Sequence, residues 1–382
     1  MNKKTILLVF GTRPEAIKMA PIYHELKKDN QYITLVCVTA QHREMLDQVL
    51  DLFDIESDYD LNIMKTGQDL FDITSLILTK IKNVFTKAKP DLVMVHGDTT
   101  TSFATSLACF YMDIPVAHIE AGLRTYKLRS PFPEEFNRQI TSKISSLHFA
   151  PTIESKENLL RELIDDEKIF VTGNTVIDSL FLALSKIENN EDRKINTISA
   201  IDDLLKFSWQ HEKYILITGH RRENFGSGFE EICEAIRLLA HKYTNVHFVY
   251  PVHLNPNVQE PVNKILSGLK NVHLIKPLNY ELFIVLLKES YIIITDSGGI
   301  QEEAPSLGVP VLVTRDDTER PEAVKAGTVK LVGSKKMNIY ENVCELLEQK
   351  DKYNKMSFSH NPYGDGTAAQ KIVKIIGKLD DY

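Results

Sequence analysis

The sequence is poor in cysteine and has no excess of positive charge, and both features narrow the class of protein. Its 382 residues include four cysteines, which lie far apart and form no C-x-x-C pair, so neither a disulfide framework nor a thiolate zinc site is predicted. Lysine and arginine total 45 against 52 aspartates and glutamates, a net charge of -7. This balance does not fit a protein that wraps a nucleic-acid backbone, and the cysteine usage is typical of a reducing cytoplasm.

Long hydrophobic runs are also missing. Residues 5–10 form an apolar run behind two lysines, as in a secretory signal, but Gly11, Arg13 and Glu15 interrupt it at once. The later apolar runs have the length of strands, well below the roughly 18 residues of a membrane-spanning helix. We therefore expect a soluble protein with no membrane partner.

Short β-branched runs alternate with longer amphipathic segments along the whole chain, which is the pattern of parallel α/β sheets. The charged stretch 188–194 has no apolar face and predicts a connection between two domains. We expect Rossmann-like domains over 1–173 and 174–363, with the segment 364–382 packing back on the first. Two such domains facing each other would form a cleft, because ligands bind at the carboxyl ends of parallel strands. The predicted strands are 5–10, 33–38, 92–95, 116–119, 147–150 and 169–171, then 214–218, 246–250, 272–275, 291–295, 309–313 and 329–332.

Two loops are candidates for binding an anion. Gly11 follows the first strand, Pro14 suits the start of a helix, and Arg13 and Lys18 could hold phosphate or carboxylate there. Solvated cations beside an ordinary turn are the alternative. Neither this loop nor any other reads G-x-G-x-x-G or carries a Walker lysine, so NAD and ATP are not predicted.

The second anion-binding loop is richer in glycine. Ser297, Gly298 and Gly299 expose successive backbone N–H groups at the mouth of a helix, which suits a diphosphate. Glu303 shares a helix face with Gly299 and could reach a ribose diol, whereas Glu302 points about 100° away. A glycine-rich connection with two surface glutamates is the alternative.

Three carboxylates follow successive strands or open a later helix of the first domain: Asp98, Glu120 and Glu134. Each has a plain structural interpretation, since Asp98 could cap a helix from Thr99, Glu120 could pair with Arg124, and Glu134 complements a helix dipole. Carboxylates that meet at one sheet edge repel one another, and this raises pKa values and provides proton donors as well as acceptors. We expect the three to converge.

Two further features of the sequence concern ligands. His220 ends the first strand of the second domain beside Arg221 and Arg222, where it could bind a leaving diphosphate. Asp58 and Asp60 have the spacing of a metal-binding D-x-D, but they lie in a turn-like acidic stretch and we interpret them as structural. No metal and no cofactor is predicted.

Taken together, the motifs of both halves resemble those of the non-hydrolysing bacterial UDP-N-acetylglucosamine 2-epimerases. The similarity covers nearly the whole chain and is weakest over 186–210. The motifs that carry it are 11–18, 41–43, 96–101, 118–124, 218–223, 250–253, 295–308, 318–322 and 361–366.

The resemblance implies a GT-B fold with two Rossmann-like doubly wound parallel-sheet domains facing across a cleft, a homodimer, and interconversion of UDP-GlcNAc and UDP-ManNAc. It implies catalytic roles for Asp98, Glu120, Glu134 and His220, and a regulatory UDP-GlcNAc site with Gln41, Arg43 and Arg221. Glu44 and Gly67 stand where some relatives of that family have Gln and Arg. The residues that the resemblance assigns to binding the UDP portion are Arg13, Lys18, His220, Phe283, Ser297, Gly298, Gly299, Glu303 and Arg320.

The reaction implied is anti elimination of UDP, which gives 2-acetamidoglucal, followed by reprotonation of C2 on the other face and re-addition of UDP. Asp98 and Glu134 are the expected proton carriers, and Glu120 is expected to stabilise the cation or relay a proton. The product would supply cell-surface polysaccharide synthesis. A hydrolysing epimerase that releases ManNAc and UDP, a GT-B glycosyltransferase and a UDP-sugar sensor are the alternatives.

Overall fold

The computed structural model describes residues 3–40, 43–65, 67–318 and 320–379. The chain divides into two compact units, and the first is assembled from both ends of the chain. This N-terminal unit comprises Met1–Ala183 and Tyr363–Tyr382, and the C-terminal unit comprises Leu184–Pro362. None of the helices in the four described ranges combines the length and the hydrophobicity that a bilayer crossing requires.

The N-terminal unit is built on a parallel sheet whose central strands are buried on both faces. Every residue of the fourth strand is buried, which fits its run of aliphatic side chains. The spatial order is β3-β2-β1-β4-β5-β6-β7. The strands are β1 (Lys4–Phe10), β2 (Tyr32–Val38), β3 (Tyr59–Asp60), β4 (Leu92–His96), β5 (Val116–Ile119), β6 (Leu147–Ala150) and β7 (Ile169–Val171).

Helices connect these strands, and the last helix of the chain belongs to the same unit. The division between the units falls within the seventh helix. The helices are α1 (Arg13–Lys28), α2 (Arg43–Leu52), α3 (Leu70–Ala88), α4 (Thr100–Tyr111), α5 (Glu134–Ile144), α6 (Ile153–Arg161), α7 (Thr175–Glu188) and, at the end of the chain, α16 (Ala368–Ile376).

The C-terminal unit repeats this plan with a second parallel sheet in the order β10-β9-β8-β11-β12-β13. Its strands are β8 (Tyr214–Thr218), β9 (His247–Pro251), β10 (Val272–Ile275), β11 (Ile292–Thr295), β12 (Val311–Val313) and β13 (Val329–Leu331). Its helices are α8 (Glu191–Leu204), α9 (Ser227–Lys242), α10 (Pro256–Leu266), α11 (Tyr280–Glu289), α12 (Gly298–Glu303), α13 (Pro321–Ala326), α14 (Lys336–Glu348) and α15 (Lys350–Ser357).

Each sheet has a point at which the strand order reverses. In the N-terminal unit it lies between β1 and β4, and in the C-terminal unit it lies between β8 and β11. The connections on the two sides of such a point leave the sheet in opposite directions, so a crevice opens at the carboxyl ends of the two central strands. The loops after these four strands are therefore the places to look for function.

The acidic triplet at residues 58–60 is not a turn. Tyr59 and Asp60 form β3 and pair with the end of β2 at Cys37 and Val38. Asp58 accepts a hydrogen bond from the backbone N–H of Val36 at 2.8 Å. Because this strand is only two residues long and lies at the sheet edge, its pairing depends on β2 rather than on its own sequence. Among the described residues no group of three or more His, Cys, Asp or Glu is arranged to hold a metal.

The end of the chain is fastened to the N-terminal unit through α16. This helix packs against α1, and its hydrophobic side includes the buried Ile372 and Ile376. The backbone N–H of Ala369 donates to Oδ1 of Asp178 in α7 at 2.8 Å. Burial raises the pKa of Asp178 from its usual 3.8 to about 6, so this carboxyl group is easier to bury protonated than ionised.

The contact between Asp178 and α16 leads to a pH prediction. Because the pKa of Asp178 is raised in the folded state, its stabilising contribution is complete below pH 3.8 and is lost as pH rises through about 6. Asp178→Asn keeps the acceptor oxygen but cannot ionise. Between pH 4 and pH 7.5, its free energy of unfolding should therefore rise by about 1–3 kcal/mol relative to the unmodified chain. Urea unfolding over this range measures the difference, and a constant difference would contradict the prediction.

Candidate active site

The loop after β1 is held by a buried carboxylate. Glu15 is 2% exposed, and its Oε2 accepts hydrogen bonds from the backbone N–H groups of Gly11 (3.1 Å) and Thr12 (2.8 Å). Its Oε1 accepts from the hydroxyls of Thr99 (2.6 Å) and Ser102 (3.3 Å). Burial raises the pKa of Glu15 above its ordinary value. One side chain therefore ties the β1 loop to the start of α4, across the point where the strand order reverses.

Two of the predicted residues lie in or next to the segments that this carboxylate connects. Arg13 is the first residue of α1 and is partly exposed. Oδ2 of Asp98 accepts a hydrogen bond from Nη2 of Arg138 at 2.6 Å, and the backbone oxygen of Asp98 accepts one from Nδ2 of Asn137 at 3.0 Å. Asp98 is not the cap of α4. Thr99 is, since its hydroxyl accepts a backbone N–H of the first turn at 3.1 Å.

Glu120 is surrounded by hydrogen-bond donors. Its Oε2 contacts the Lys18 ammonium and accepts a hydrogen bond from Nδ2 of Asn174 at 2.8 Å. Nε2 of His96 lies 3.8 Å from the same oxygen, and burial lowers the pKa of His96 to about 4, so this imidazole is neutral near pH 7. Lys18, which the resemblance assigns to the UDP portion, thus has a catalytic candidate as its partner.

The backbone of Glu120 is strained. Its φ is +62°, in the left-handed region that non-glycine residues rarely occupy, and such conformations persist where the surroundings enforce them, often at active sites. The proposed pairing of Glu120 with Arg124 is wrong. Nε and Nη2 of Arg124 instead donate to the two carboxylate oxygens of Glu162 at 2.6 and 2.9 Å.

Glu134 is the first residue of α5, which agrees with the interpretation that its negative charge complements the helix dipole. Its Oε2 is buried and has no hydrogen-bond partner within the described residues. The neighbouring Glu135 fixes the preceding loop, because its two oxygens accept the backbone N–H groups of Thr125 (3.0 Å) and Tyr126 (2.9 Å). Arg138 lies 3.3 Å from Glu135, so the first turns of α5 are tied both to this loop and to Asp98.

His220 in the C-terminal unit is positioned by a buried aspartate. Asp296 is fully buried, and its Oδ2 accepts the backbone N–H groups of His220 and Arg221, each at 2.9 Å. Its Oδ1 lies 3.4 Å from Nδ1 of His220, whose ring stacks on His253 with the centroids 5.7 Å apart. Burial lowers the pKa of His220 although Asp296 opposes the shift. Asp296 thereby joins the β8 and β11 loops, as Glu15 joins the loops of the other unit.

The glycine-rich loop leaves open space beside it. The N–H of Ser297 donates to the Thr295 hydroxyl at 3.0 Å, and α12 begins at Gly298. A Cβ added to Gly298 would lie 3.7 Å from the guanidinium of Arg320, while one added to Gly299 would meet no described atom within 4 Å. Packing within the described part of the chain therefore does not explain Gly299, and an anion beside Arg320 would have room there.

The two glutamates of α12 are buried rather than on the surface. Glu302 is 1% exposed and forms an ion pair with Nε of Arg320 at 2.6 Å. Glu303 is 6% exposed and accepts a hydrogen bond from the Tyr280 hydroxyl at 2.9 Å. Phe283 lies on α11 and is partly buried, one helical turn after Tyr280. The interpretation of a plain connection with two surface glutamates is therefore wrong.

The residues at the carboxyl ends of the strands differ in chemistry between the two sheets. The N-terminal unit carries three candidate carboxylates. Glu120 contacts a lysine and an asparagine amide, and Asp98 accepts a hydrogen bond from an arginine. Glu134 has a buried oxygen with no partner among the described residues. The C-terminal unit presents an imidazole, an arginine and the glycine-rich start of α12. The groups of the N-terminal unit are suited to proton transfer, and those of the C-terminal unit are suited to binding a phosphorylated group.

Comparison with known proteins identifies the family. The family model for UDP-N-acetylglucosamine 2-epimerase matches residues 24–377. A UDP-N-acetylglucosamine 2-epimerase of Neisseria meningitidis is 57% identical over 374 residues, which cover 98% of this chain and 99% of the relative. The chain belongs to the UDP-N-acetylglucosamine 2-epimerase family. A Campylobacter jejuni member is 56% identical over 375 residues, 98% of each chain.

Solved structures of this epimerase family agree with the fold. The N. meningitidis UDP-GlcNAc 2-epimerase bound to UDP-GlcNAc has a TM-score of 0.89 and 56% identity, and the match covers 98% of this chain and all of that one. The Methanocaldococcus jannaschii enzyme in complex with UDP-GlcNAc and UDP has a TM-score of 0.80 at 34% identity, with 98% and 100% covered. The predicted GT-B class, with two doubly wound parallel-sheet units, is confirmed.

The predicted regulatory residues of the epimerase are only partly described. Gln41 lies outside the described residues, and so does the side chain of Arg43, the first residue of α2. Arg221 is partly buried, and its Nε has no hydrogen-bond partner within the described part of the chain. A regulatory role for these three residues stays a prediction.

Sequence reasoning did not single out four residues that organise the site: Glu15, Arg138, Asn174 and Asp296. Only Glu15 had a local signal, since it follows Thr12 by three positions, the spacing of a capping box. The other three act on residues between 40 and 76 positions away in sequence. No spacing rule within a single helix or loop could have found them.

Proposed function

We propose that this chain is a non-hydrolysing epimerase that interconverts UDP-GlcNAc and UDP-ManNAc. The observation that carries the proposal is the environment of Glu120, a strained carboxylate held by Lys18 and Asn174 at the carboxyl end of β5. A carboxylate fixed in this way is suited to facing a developing positive charge, because it does not need to reorient during the reaction.

The chemistry of the sugar explains why such a group is needed. The C2 hydrogen of an N-acetylhexosamine has no neighbouring carbonyl carbon to acidify it, so direct removal would be slow. Breakage of the C1–O bond, with the electron pair leaving on UDP, creates an oxocarbenium-like centre and makes the C2 proton acidic. Loss of that proton gives 2-acetamidoglucal. Return of a proton to the other face of C2, and of UDP to C1, completes the inversion.

The three carboxylates differ in the roles that their surroundings favour. Glu120 has one oxygen committed to Lys18 and Asn174, and we assign it to stabilising the cation. Asp98 and Glu134 are the proton carriers in this scheme. The shielded Oε2 of Glu134 supports the assignment, because an oxygen without a partner in the described chain is free to hold a proton.

The C-terminal unit binds the UDP portion in this proposal. The turn Ser297-Gly298-Gly299 would hold the diphosphate through the backbone N–H groups of Gly298 and Gly299, with Arg320 as a cation beside them. The N–H of Ser297 is already bonded to the Thr295 hydroxyl. His220 would hydrogen-bond the leaving group, and Glu303 and Phe283 would contact the ribose and the uracil. Arg13 and Lys18 stay predicted contacts of the UDP portion.

Further parts of the proposal rest on the family resemblance. We propose a cytoplasmic homodimer in which UDP-GlcNAc also binds at a regulatory site that includes Gln41, Arg43 and Arg221. We also propose that UDP-ManNAc leaves the enzyme for cell-surface polysaccharide synthesis.

The test is incubation of the purified protein with UDP-GlcNAc alone in D2O, followed by NMR. We expect deuterium at C2 in a mixture of UDP-GlcNAc and UDP-ManNAc, with little free sugar at early times. Deuterium appears because the removed proton exchanges with solvent before it is replaced. Free ManNAc as the main early product would mean that the enzyme hydrolyses the intermediate, and absence of turnover would contradict an epimerase.

A further inference from the structure

The turn Thr172-Gly173-Asn174 contains the predicted domain boundary, and its Asn174 has so far been described only as a contact of Glu120. It links β7 to α7. Asn174 is 3% exposed and is 54 positions from Glu120 in sequence, yet its side chain reaches that carboxylate. The contact between this buried amide and a candidate catalytic residue suggests that Asn174 itself has a function.

The orientation of the Asn174 amide is determined by its partners. Oδ1 accepts a hydrogen bond from the backbone N–H of Val176 at 3.0 Å, and a backbone N–H can only donate. The oxygen must therefore face Val176, and the NH2 group must face Glu120, where Nδ2 donates to Oε2 at 2.8 Å. The same side chain caps the first turn of α7 and holds the carboxylate.

The backbone of Asn174 is fixed from a second direction. Its N–H donates to the backbone oxygen of Tyr363 at 2.7 Å. The preceding Gly173 has a φ of +93°, and a Cβ there would lie 3.1 Å from that same oxygen. The segment near the end of the chain and the start of α7 therefore hold the amide in place.

We propose that Asn174 is a positioning residue for the reaction, which rests on the function proposed for Glu120. Lys18 supplies charge to Oε2 of Glu120 through a flexible side chain. The amide of Asn174, held at both its oxygen and its backbone, sets the rotation of the carboxylate. The other oxygen, Oε1, is thereby directed to the Gly97 side, where a Cβ on Gly97 would lie 3.7 Å from it.

Asn174→Ser separates this role from helix capping. Serine is as good a cap as asparagine, but its side chain is too short to reach Glu120. We expect kcat to fall about 10- to 100-fold, because small misplacements of reacting groups have effects of this size. The KM for UDP-GlcNAc should stay within about 3-fold, since the UDP contacts are assigned to other residues. Unchanged kcat would overturn the proposal.

A double mutant tests whether the effect passes through Glu120. In a Glu120→Gln background the carboxylate is absent, so we expect Asn174→Ser to change kcat less than about 2-fold. A full 10- to 100-fold further loss would show that Asn174 acts by another route and would overturn the inference. If Glu120→Gln alone keeps the wild-type kcat, the function proposed for Glu120 is wrong. If Glu120→Gln is slow but Asn174→Ser is fully active, only the positioning role proposed for Asn174 is wrong.

Two further variants deal with folding. Asp178→Ala removes the bond from α7 to the N–H of Ala369 without touching Glu120, and we expect lower thermal stability with normal kcat for the folded enzyme. Asn174→Asp keeps a capping oxygen of native length and puts a carboxylate against Glu120. If Asn174→Ser does not fold, Asn174→Asp is used to test the proposal instead. A loss of kcat of at least 10-fold would support the proposal, and full activity would contradict it.

Discussion

Asp98→Asn is expected to slow deuterium incorporation at C2 of UDP-GlcNAc by roughly 10²- to 10⁴-fold, because an amide cannot exchange a proton with carbon. The substitution leaves the loop intact, since Oδ1 of an asparagine can still accept the 2.6 Å hydrogen bond from Arg138. Binding of UDP should change little, because Asp98 is not among the contacts assigned to UDP. NMR in D2O measures the exchange, and isothermal titration calorimetry measures the binding of UDP.

The matched control for this prediction is Asp58→Asn. Asp58 also accepts a hydrogen bond, from the N–H of Val36 at 2.8 Å, but it lies beside the edge strand β3. The same chemical change there should leave the exchange rate at C2 unaltered. Retention of wild-type exchange by Asp98→Asn would remove Asp98 from the proton-transfer scheme.

Asp296→Ala should have the largest effect on stability and also weaken UDP binding. The fully buried carboxylate accepts two backbone N–H groups at 2.9 Å, and its loss leaves both donors without a partner. We expect the free energy of unfolding of the C-terminal unit to fall by about 2–4 kcal/mol. UDP should bind at least about 10-fold more weakly, because the His220 loop is no longer fixed to the β11 loop.

Asp296→Asn provides the comparison for both measurements. Both N–H groups donate to Oδ2, so an amide oxygen in that place can accept both, but the side chain is uncharged and its NH2 group replaces the Oδ1 that faces His220. Its unfolding transition and its affinity for UDP should therefore lie between those of Asp296→Ala and the unmodified chain. Urea unfolding gives the stability, and calorimetry with UDP gives the affinity. Equal affinity in all three proteins would show that the tie between the two loops does not matter for UDP.

The central strands of both sheets could be predicted from the sequence because their residues are buried on both faces. The runs that became β4 and β8 are almost continuously aliphatic, and their predicted ends are at most one residue from the observed ones. The edge strand β3 was not predicted, since two residues carry no periodicity and its pairing with β2 is a tertiary contact. Burial on both faces is encoded locally, whereas edge pairing is not.

The candidate residues could be found from the sequence, but most of their partners could not. Arg124 was expected to pair with Glu120 at a spacing of four, a rule that applies only within a helix, and the residues between them form a turn. Lys18 instead reaches Glu120 from 102 positions away. Asp98 and Thr99 can both cap a helix, and Arg138 engages Asp98 while Thr99 becomes the cap. Such choices depend on parts of the chain that meet only after folding.

The shared carboxylate of Glu15 has a consequence for anyone recombining natural variants of this enzyme. Its two oxygens serve backbone groups at Gly11 and Thr12 and hydroxyls at Thr99 and Ser102. A chimera with a crossover between these segments takes Glu15 from one parent and positions 99 and 102 from the other. The hydrogen bonds are then kept only if the second parent also has hydroxyl groups at those two positions. Gene-shuffling libraries for altered sugar specificity should therefore inherit residues 11–15 and 99–102 as a single block.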